Sequence, residues 1–295
     1  MIIAIDARMY QESGIGRYIR NLIENLKLLD TKNEYFILHL KREFETLDYR
    51  SNFKKVLTNF RWYGVREQFE LPKILGRLDV DLVHFPHFNV PIFFSGKFVV
   101  TIHDLIHQEY SMKRATTHGS LIYGIKKFGY SKVFSSAIKR SKKILVPSNY
   151  VKGQLEDRWG IGSKVIVTQE GVDDSFLKLL NDLSQSEIKK HLRSLGIDGN
   201  YIFYVGNAHP HKNVEGLIRA FRKLKSTFSN LKLVLSGYDH YFWNRIKKEY
   251  RDKDIVYTGF VTEEQLVALY KNAQAFVMPS FEEGFGIPLL EAFAS

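Results

Sequence analysis

The sequence predicts an α/β protein built on two doubly wound parallel sheets, and three observations predict it. Short apolar runs of strand length alternate with helical stretches from one end of the 295 residues to the other. Glycine-bearing loops follow the carboxyl ends of several of these runs, the place where open α/β sheets bind anions. A polar stretch, residues 174–200, reads as helical in part, over 187–195, and carries Gly196 and Gly199 as breakers. It parts the chain into two Rossmann-like domains, residues 1–173 and 201–295, with itself as the linker.

Composition narrows the class. A hydrophobic content of 44% over this length supplies core for about two domains. There is no cysteine, so disulfide and thiol redox chemistry are excluded and a reducing, cytoplasmic setting is permitted. No apolar run approaches the roughly 20 residues of a membrane span. The opening Met1-Ile2-Ile3-Ala4-Ile5-Asp6 has an acid inside its short apolar run and no basic leader, which reads as a strand rather than a signal peptide. The net charge of +11 is one-sided: residues 1–170 hold 27 Lys and Arg against 17 Asp and Glu, whereas residues 171–295 are nearly balanced. Such a field attracts an anionic partner, whether nucleic acid, a lipid surface or a phosphorylated substrate. No nucleic-acid motif accompanies it.

Along the front half, residues 2–5 form a first strand and residues 6–16 a loop. Ile15, Tyr18, Ile19, Leu22, Ile23, Leu26 and Leu29 then recur at three and four, the stripe of an amphipathic helix. Gly14 and Gly16 therefore sit where a strand gives way to a helix, and Arg17 is either a cation at that loop or an exposed helix residue. Residues 35–40 read as a strand, residues 41–64 show no clear periodicity, and residues 67–75 read as helical. Asp79-Val80-Asp81 is a solvated lead into strand 82–85, after which His84, Pro86 and His87 gather at the carboxyl end. Strand 98–102 delivers His103 and Asp104 at its own carboxyl end; on spacing alone such a histidine is more often structural than functional. Residues 111–143 interleave Lys113, Arg114, Lys126, Lys127, Lys132, Lys139, Arg140, Lys142 and Lys143 with Tyr123, Phe128, Tyr130 and Phe134. That mix suits a helix lying on an anionic bilayer, and equally a solvated helix face. Residues 144–148 are a strand, Ser148 and Asn149 a helix start, and residues 165–168 the last strand of this half.

In the back half, strand 201–205 runs into Gly206. The loop Gly206-Asn207-Ala208-His209-Pro210-His211-Lys212-Asn213 places a lysine beside the N-terminus of helix 214–228, where an ammonium and the helix dipole would both face a diphosphate. The plain alternative is a surface lysine. Strand 231–235, strand 255–257 and helix 263–272 lead to the apolar run 275–279. From there Ser280-Phe281-Glu282-Glu283-Gly284-Phe285-Gly286-Ile287-Pro288 forms a strand-to-helix loop, in which the glycines bring backbone amides close to a ligand and Pro288 opens a helix. Glu283 lies on the loop, and Glu291 eight residues on within the helix; carboxylates there accept hydrogen bonds from several hydroxyls at once.

Glu283-Gly-Phe-Gly-x-Pro-x-x-Glu291 resembles the E-x7-E signature of glycosyltransferase family 4 (group 1), the retaining nucleotide-sugar glycosyltransferases of GT-B fold. The resemblance extends over nearly the whole chain. It implies two domains facing a cleft, the first for the acceptor and the second for the donor, with Glu283 on the donor sugar and Glu291 on the nucleotide ribose. Thr101-Ile102-His103-Asp104 is similar to the family's T-x-H-D segment, whose histidine reaches the transferred sugar. Gly14 and Gly16 resemble its first glycine loop, Lys212 matches its diphosphate cation, and Gly259-Phe260-Val261 is similar to the loop that receives the base. Gly284, Phe285 and Gly286 complete the donor loop. Asn207 and His211 depart from the family, many of whose members carry arginine nearby, and His211 is the candidate substitute. Asp79-Val80-Asp81 resembles the metal site of the other large glycosyltransferase fold but stands at the wrong edge of a sheet.

The expectation is therefore a hexosyltransferase, mannosyl- or rhamnosyltransferase-like, of surface polysaccharide or lipopolysaccharide synthesis. Its substrates would be a GDP-, UDP- or dTDP-linked sugar and a glycan or lipid-linked acceptor, with no metal or other cofactor and no nucleic acid. It would work in the cytoplasm with peripheral contact at the inner face of an anionic membrane. Only four residues follow Glu291, where the family continues with further strands and a helix, so the second domain is expected to be incomplete. A non-catalytic binding fragment, or half of a two-chain enzyme, is the alternative expectation.

Overall fold

The computed structural model describes residues 1–49, 52–106 and 120–295, in two compact units, Met1–Glu170 and Gly171–Ser295. Unit 1 holds β1 (Ile2–Asp6), α1 (Ser13–Leu29), β2 (Glu34–His39), α2 (Lys41–Thr46), β3 (Phe53–Leu57), α3 (Val65–Arg77), β4 (Leu82–Phe85), β5 (Phe98–Thr101), α4 (Ser120–Arg140), β6 (Lys143–Val146), α5 (Asn149–Trp159) and β7 (Val165–Val167). The described strands order as β3-β2-β1-β4-β5-β6-β7, and every pair is parallel.

The two-residue repeat of a strand sends alternate side chains to opposite faces, and both faces are apolar here, as a sheet covered by helices on each side requires. Ala4 and Leu38 join the core formed with β4 to β7, while Ile5 and Ile37 join the one under α1. Ile19 and Ile23 of the predicted stripe are fully buried there. Gly16 has a steric reason: a Cβ would stand 2.5 Å from the Tyr10 carbonyl oxygen, so α1 could not rest so closely on the preceding loop. Ser148 caps α5, its hydroxyl accepting from Val151 N at 3.3 Å. Residues 41–64, unreadable by period, contain α2 and the edge strand β3, whose Lys54 and Lys55 break any apolar alternation. Asp81 accepts from Ile2 N at 2.7 Å at the amino ends of the strands, as a strand-leading residue would. Of the basic stretch 111–143, Lys113 and Arg114 lie outside the described residues, as do the side chains of Tyr123, Lys126 and Lys127. What is described of α4 buries Phe134, Ala137 and Ile138 against the sheet.

Unit 2 holds α6 (Asp174–Asp182), α7 (Gln185–Ser194), β8 (Tyr201–Val205), α8 (Val214–Leu224), β9 (Lys232–Ser236), α9 (Tyr241–Glu249), β10 (Ile255–Gly259), α10 (Glu263–Asn272), β11 (Ala275–Phe276) and α11 (Ile287–Ala294). Its strands order as β10-β9-β8-β11, again all parallel. Residues 174–200, expected as a linker helical over 187–195, form that helix as α7 and a further one, α6, before it. Ser184 closes a capping box with Glu187, the Ser184 N–H donating to Oε2 at 2.9 Å. Phe176, Leu180, Ile188 and Leu192 are buried beside Tyr201, Phe203 and the apolar face of α10. Polar composition hid α6 and the packing of both, because each of these short helices shows only a narrow apolar stripe. The sequence reading also passed over α9, which buries Phe242, Trp243 and Ile246.

If residues 174–200 are core, truncating them costs stability. Phe176→Ala and Ile188→Ala are each expected to destabilise unit 2 by about 2–5 kcal/mol in urea unfolding. Losses under about 0.5 kcal/mol in both would return the segment to a linker.

Candidate functional site

In a doubly wound sheet the strand order reverses at one point, and there the following loops part and leave room for a ligand at the carboxyl ends. Unit 2 reverses between β8 and β11, and the two loops that open there hold most of the residues singled out from the sequence. Lys212 Nζ lies 2.7 Å from both carboxylate oxygens of Glu283, and each side chain is about one-fifth exposed. Phe281 N donates to the His211 carbonyl oxygen at 2.8 Å, and Asn213 Nδ2 to the Pro279 carbonyl oxygen at 3.2 Å. These three links tie the loop after β8 to the loop after β11. An ion pair this sheltered is worth more than an exposed one, and removing either partner leaves the other charge poorly solvated.

Local geometry sets the loops. Gly286, at φ +93°, is the N-cap of α11, and a Cβ there would both strain the backbone and meet Met278 Cε at 2.9 Å. It leaves amides at a helix start beside Gly284 and Phe285. Asn207 is bound on two sides: its carbonyl oxygen accepts from the Tyr204 hydroxyl at 2.6 Å and its Oδ1 from His209 N at 3.1 Å. Burial, reinforced by Glu283, lifts the Tyr204 hydroxyl far above its usual range, so it remains a donor. Glu291 follows on the helix that this loop opens. It is buried within α11 and accepts from the Tyr270 hydroxyl at 2.8 Å. Val261 lies beyond β10, at the far edge from the reversal, packed against the core of the unit.

Unit 1 reverses between β1 and β4. At the end of β5, His103 places Nε2 2.9 Å from the Pro86 carbonyl oxygen and Nδ1 3.1 Å from Glu170 Oε1. Both ring nitrogens thus face acceptors, and Tyr18 of α1 meets the ring edge-on at 4.9 Å. Gly14, on the same helix, has open space where a Cβ would stand. Behind it His84 Nε2 and the Thr101 hydroxyl are 2.8 Å apart, and that hydroxyl is 3.1 Å from the Tyr18 hydroxyl. Burial, with a smaller contribution from His103, pushes His84 down to about 4, and burial raises Tyr18 to about 12.

Two features escaped the sequence reading. Glu170 is 67 positions from His103, and no spacing connects them. The other is a buried charge cluster at the reversal itself. Arg8 donates through Nε to Asp6 Oδ1 at 2.8 Å and through Nη2 to Asp6 Oδ2 at 2.7 Å and to Glu67. Glu67 also accepts from Asn89 Nδ2 and Tyr63 N. Burial opposes the charge of Arg8, but Asp6 and Glu67 together hold it above its ordinary range. Burial lifts Glu67, against the pull of Arg8. The pattern Asp6-x-Arg8 directly after an apolar strand was the available signal. Among the described residues no group of three or more His, Cys, Asp or Glu is placed to hold a metal ion, and no helix is long and apolar enough to cross a membrane.

Comparison with known proteins agrees with this layout. Residues 13–176 match the family model described as Glycosyltransferase Family 4, and residues 187–295 the one described as Glycosyl transferases group 1. Over 99 residues the chain is 41% identical to O-antigen chain mannosyltransferase B of Escherichia coli, covering 32% of this chain and 26% of that protein. Over 175 residues it is 31% identical to the O-antigen chain mannosyltransferase RfbU of Salmonella typhimurium, covering 58% and 45% respectively. The matches thus span less than half the length of these relatives. The chain superposes on WaaG, a glycosyltransferase involved in lipopolysaccharide biosynthesis, with a TM-score of 0.71 at 15% identity, over 100% of this chain and 79% of that one. On Anabaena Alr3699/HepE in complex with UDP and glucose the TM-score is 0.70 at 16% identity, over 99% and 78%. These structures share the GT-B fold.

The depressed His84 sets a pH dependence. Unfolded histidine titrates near 6.5, so the contribution of a neutral buried His84 is complete above that pH and is lost as pH falls toward about 4. Wild type is expected to lose up to about 3 kcal/mol on this account, and His84→Asn, which keeps a partner for Thr101, to lose less between pH 7 and 4.5. Urea midpoints of unit 1 across that range decide it; parallel slopes would show that His84 is not the titrating group.

Proposed function

This chain belongs to glycosyltransferase family 4, and on that premise we propose that it moves a sugar from a nucleotide diphosphate to an acceptor hydroxyl, with retention of configuration, in surface polysaccharide or glycolipid synthesis. One observation carries the reading: Lys212 and Glu283 meet at the strand reversal of unit 2, beside backbone amides at the start of α11. That arrangement offers a cation and helix dipole to a diphosphate and a carboxylate to the hydroxyls of the attached sugar.

In the proposed reaction the bond from the anomeric carbon to the departing phosphate oxygen breaks as charge builds on the diphosphate. Lys212 and the loop amides stabilise that charge. The acceptor oxygen bonds to the anomeric carbon from the same face, and its proton passes to the departing phosphate oxygen. The ring passes through an oxocarbenium-like state, as in glycoside hydrolysis, without a carboxylate nucleophile. His103 hydrogen-bonds the transferred sugar by exchanging one of its two present partners, and Glu170 holds the ring until then. Glu291 would serve the ribose, and the Gly259-Phe260-Val261 segment the base.

We favour GDP-mannose as donor, with UDP- and dTDP-sugars as alternatives. Mannosyltransferases among the relatives support the sugar, and a UDP-bound structural neighbour supports a nucleotide ligand of this kind. The acceptor is a glycan or a lipid-linked glycan. The basic surplus of residues 1–170 supports a cytoplasmic site at the inner face of an anionic membrane. No metal takes part.

The Lys212–Glu283 pair gives a divided expectation. Glu283→Gln releases Lys212 for the diphosphate, so GDP or UDP binds as tightly as to wild type or several-fold tighter in calorimetry. Sugar transfer nevertheless falls at least a hundredfold, about 3 kcal/mol of transition-state stabilisation. Lys212→Met loses both. Retained transfer in Glu283→Gln, or unchanged nucleotide affinity in Lys212→Met, contradicts the scheme. A second expectation is that excess EDTA leaves initial transfer rates unchanged; restoration of a lost rate by added Mg²⁺ or Mn²⁺ would overturn metal independence.

A further inference from the structure

At the strand reversal of unit 1, Asp6, Arg8, Met9, Ile19, Trp62, Phe85, Pro86, His87 and Asn89 surround a hollow of about 10 Å³, room for one water-sized oxygen. Arg8 is 97% buried. Its Nε and Nη2 are taken by Asp6 and Glu67, and its Nη1 is a buried donor without a hydrogen-bond partner among the described residues. A buried, unpaired donor on a charged group costs the desolvation of that donor with nothing in return. Such a group at a ligand-binding position calls for an oxygen that completes it.

Size and charge select the oxygen. One phosphate group is larger than the hollow. Two carboxylates surround one guanidinium, so the cluster has no surplus positive charge with which to attract an anion. A hydroxyl fits both conditions, because it accepts from an N–H and donates its own proton to a carboxylate. Asp6, about one-tenth exposed at its side chain, is the carboxylate within the lining. Trp62 and His87, both half-buried, form the rim, and an indole face suits the C–H surface of a sugar ring.

We infer that Arg8, with Asp6, is a subsite for one hydroxyl of a neutral sugar whose ring lies against Trp62. This rests on the transferase reading and deepens it: the acceptor would be recognised in unit 1 by an alcohol group, not by a phosphate. Arg8 is then a specificity-determining residue. It does not act on the reacting bond.

The test uses the full 295-residue chain and the methyl α-glycosides of mannose, rhamnose, glucose and galactose, with inorganic phosphate as the anionic arm. Tryptophan emission, assigned to residue 62 by its loss in Trp62→Phe, and saturation-transfer NMR report binding. At least one glycoside is expected to bind in the millimolar range and phosphate not to compete. Arg8→Lys, which keeps a cation between Asp6 and Glu67 but lacks the forked donor, is expected to weaken that glycoside at least tenfold with unchanged circular dichroism. Should Arg8→Lys not fold, His87→Ala, outside the buried cluster, is expected to weaken it two- to fivefold. Binding of none of the four glycosides, a response to phosphate alone, or wild-type affinity in the folded variants overturns the inference. GDP and UDP binding measured on the same samples separates the failures: if nucleotide binds and no glycoside does, only the hydroxyl subsite falls. If neither binds, the transferase reading falls with it.

Discussion

A parallel sheet cannot satisfy everything at its carboxyl end. Where the winding reverses, two neighbouring strands send their chains to opposite faces, and the loops that follow part over an open gap. In both units that gap is lined with charge. In unit 2 the lining is a single pair, Lys212 and Glu283, with two loop-to-loop hydrogen bonds beside it. In unit 1 it is a buried triad of Asp6, Arg8 and Glu67. Charge at such places is costly to bury and gains little net stability over apolar packing. Their cost is the reason for proposing a ligand at each gap.

The two gaps differ in balance, and the ligands proposed for them differ accordingly. The pair in unit 2 is neutral as a whole but partly exposed, and in the proposed reaction it divides into a cation for phosphate oxygens and a carboxylate for hydroxyls. The triad in unit 1 is sealed and carries no positive surplus, so it suits an uncharged hydroxyl. A glycosyltransferase needs both kinds of recognition, because its donor is a charged diphosphate and its acceptor presents an alcohol.

Much of this was readable from the residues, and the unread parts have physical reasons. Long apolar periods gave α1, α8 and most strands, since a buried strand or an amphipathic stripe leaves a strong local trace. Gly286 and Lys212 were legible because a left-handed helix cap and a cation at a helix start depend on nearby sequence. The edge strand β3 was not, because its lysines interrupt the alternation; α7 was legible but α6 was not, and both were assigned to a linker because short capped helices with narrow stripes look polar. Glu170 beside His103, and Glu67 beside Arg8, join residues 67 and 59 positions apart. Such contacts are set by strand order, which no local pattern encodes. Glu291 was placed on the helix after the loop from its spacing alone, and the bond it accepts from Tyr270, 21 positions away, had no local trace.

In the proposed reaction the ammonium of Lys212 changes partner from Glu283 to a diphosphate. The most direct measurement follows the side-chain ¹⁵N signal of Lys212 and the carboxylate ¹³C signal of Glu283 during titration with GDP or UDP. The account predicts that both signals move, with one shared saturation curve that matches nucleotide binding. A nucleotide that binds while both signals stay in place would contradict it.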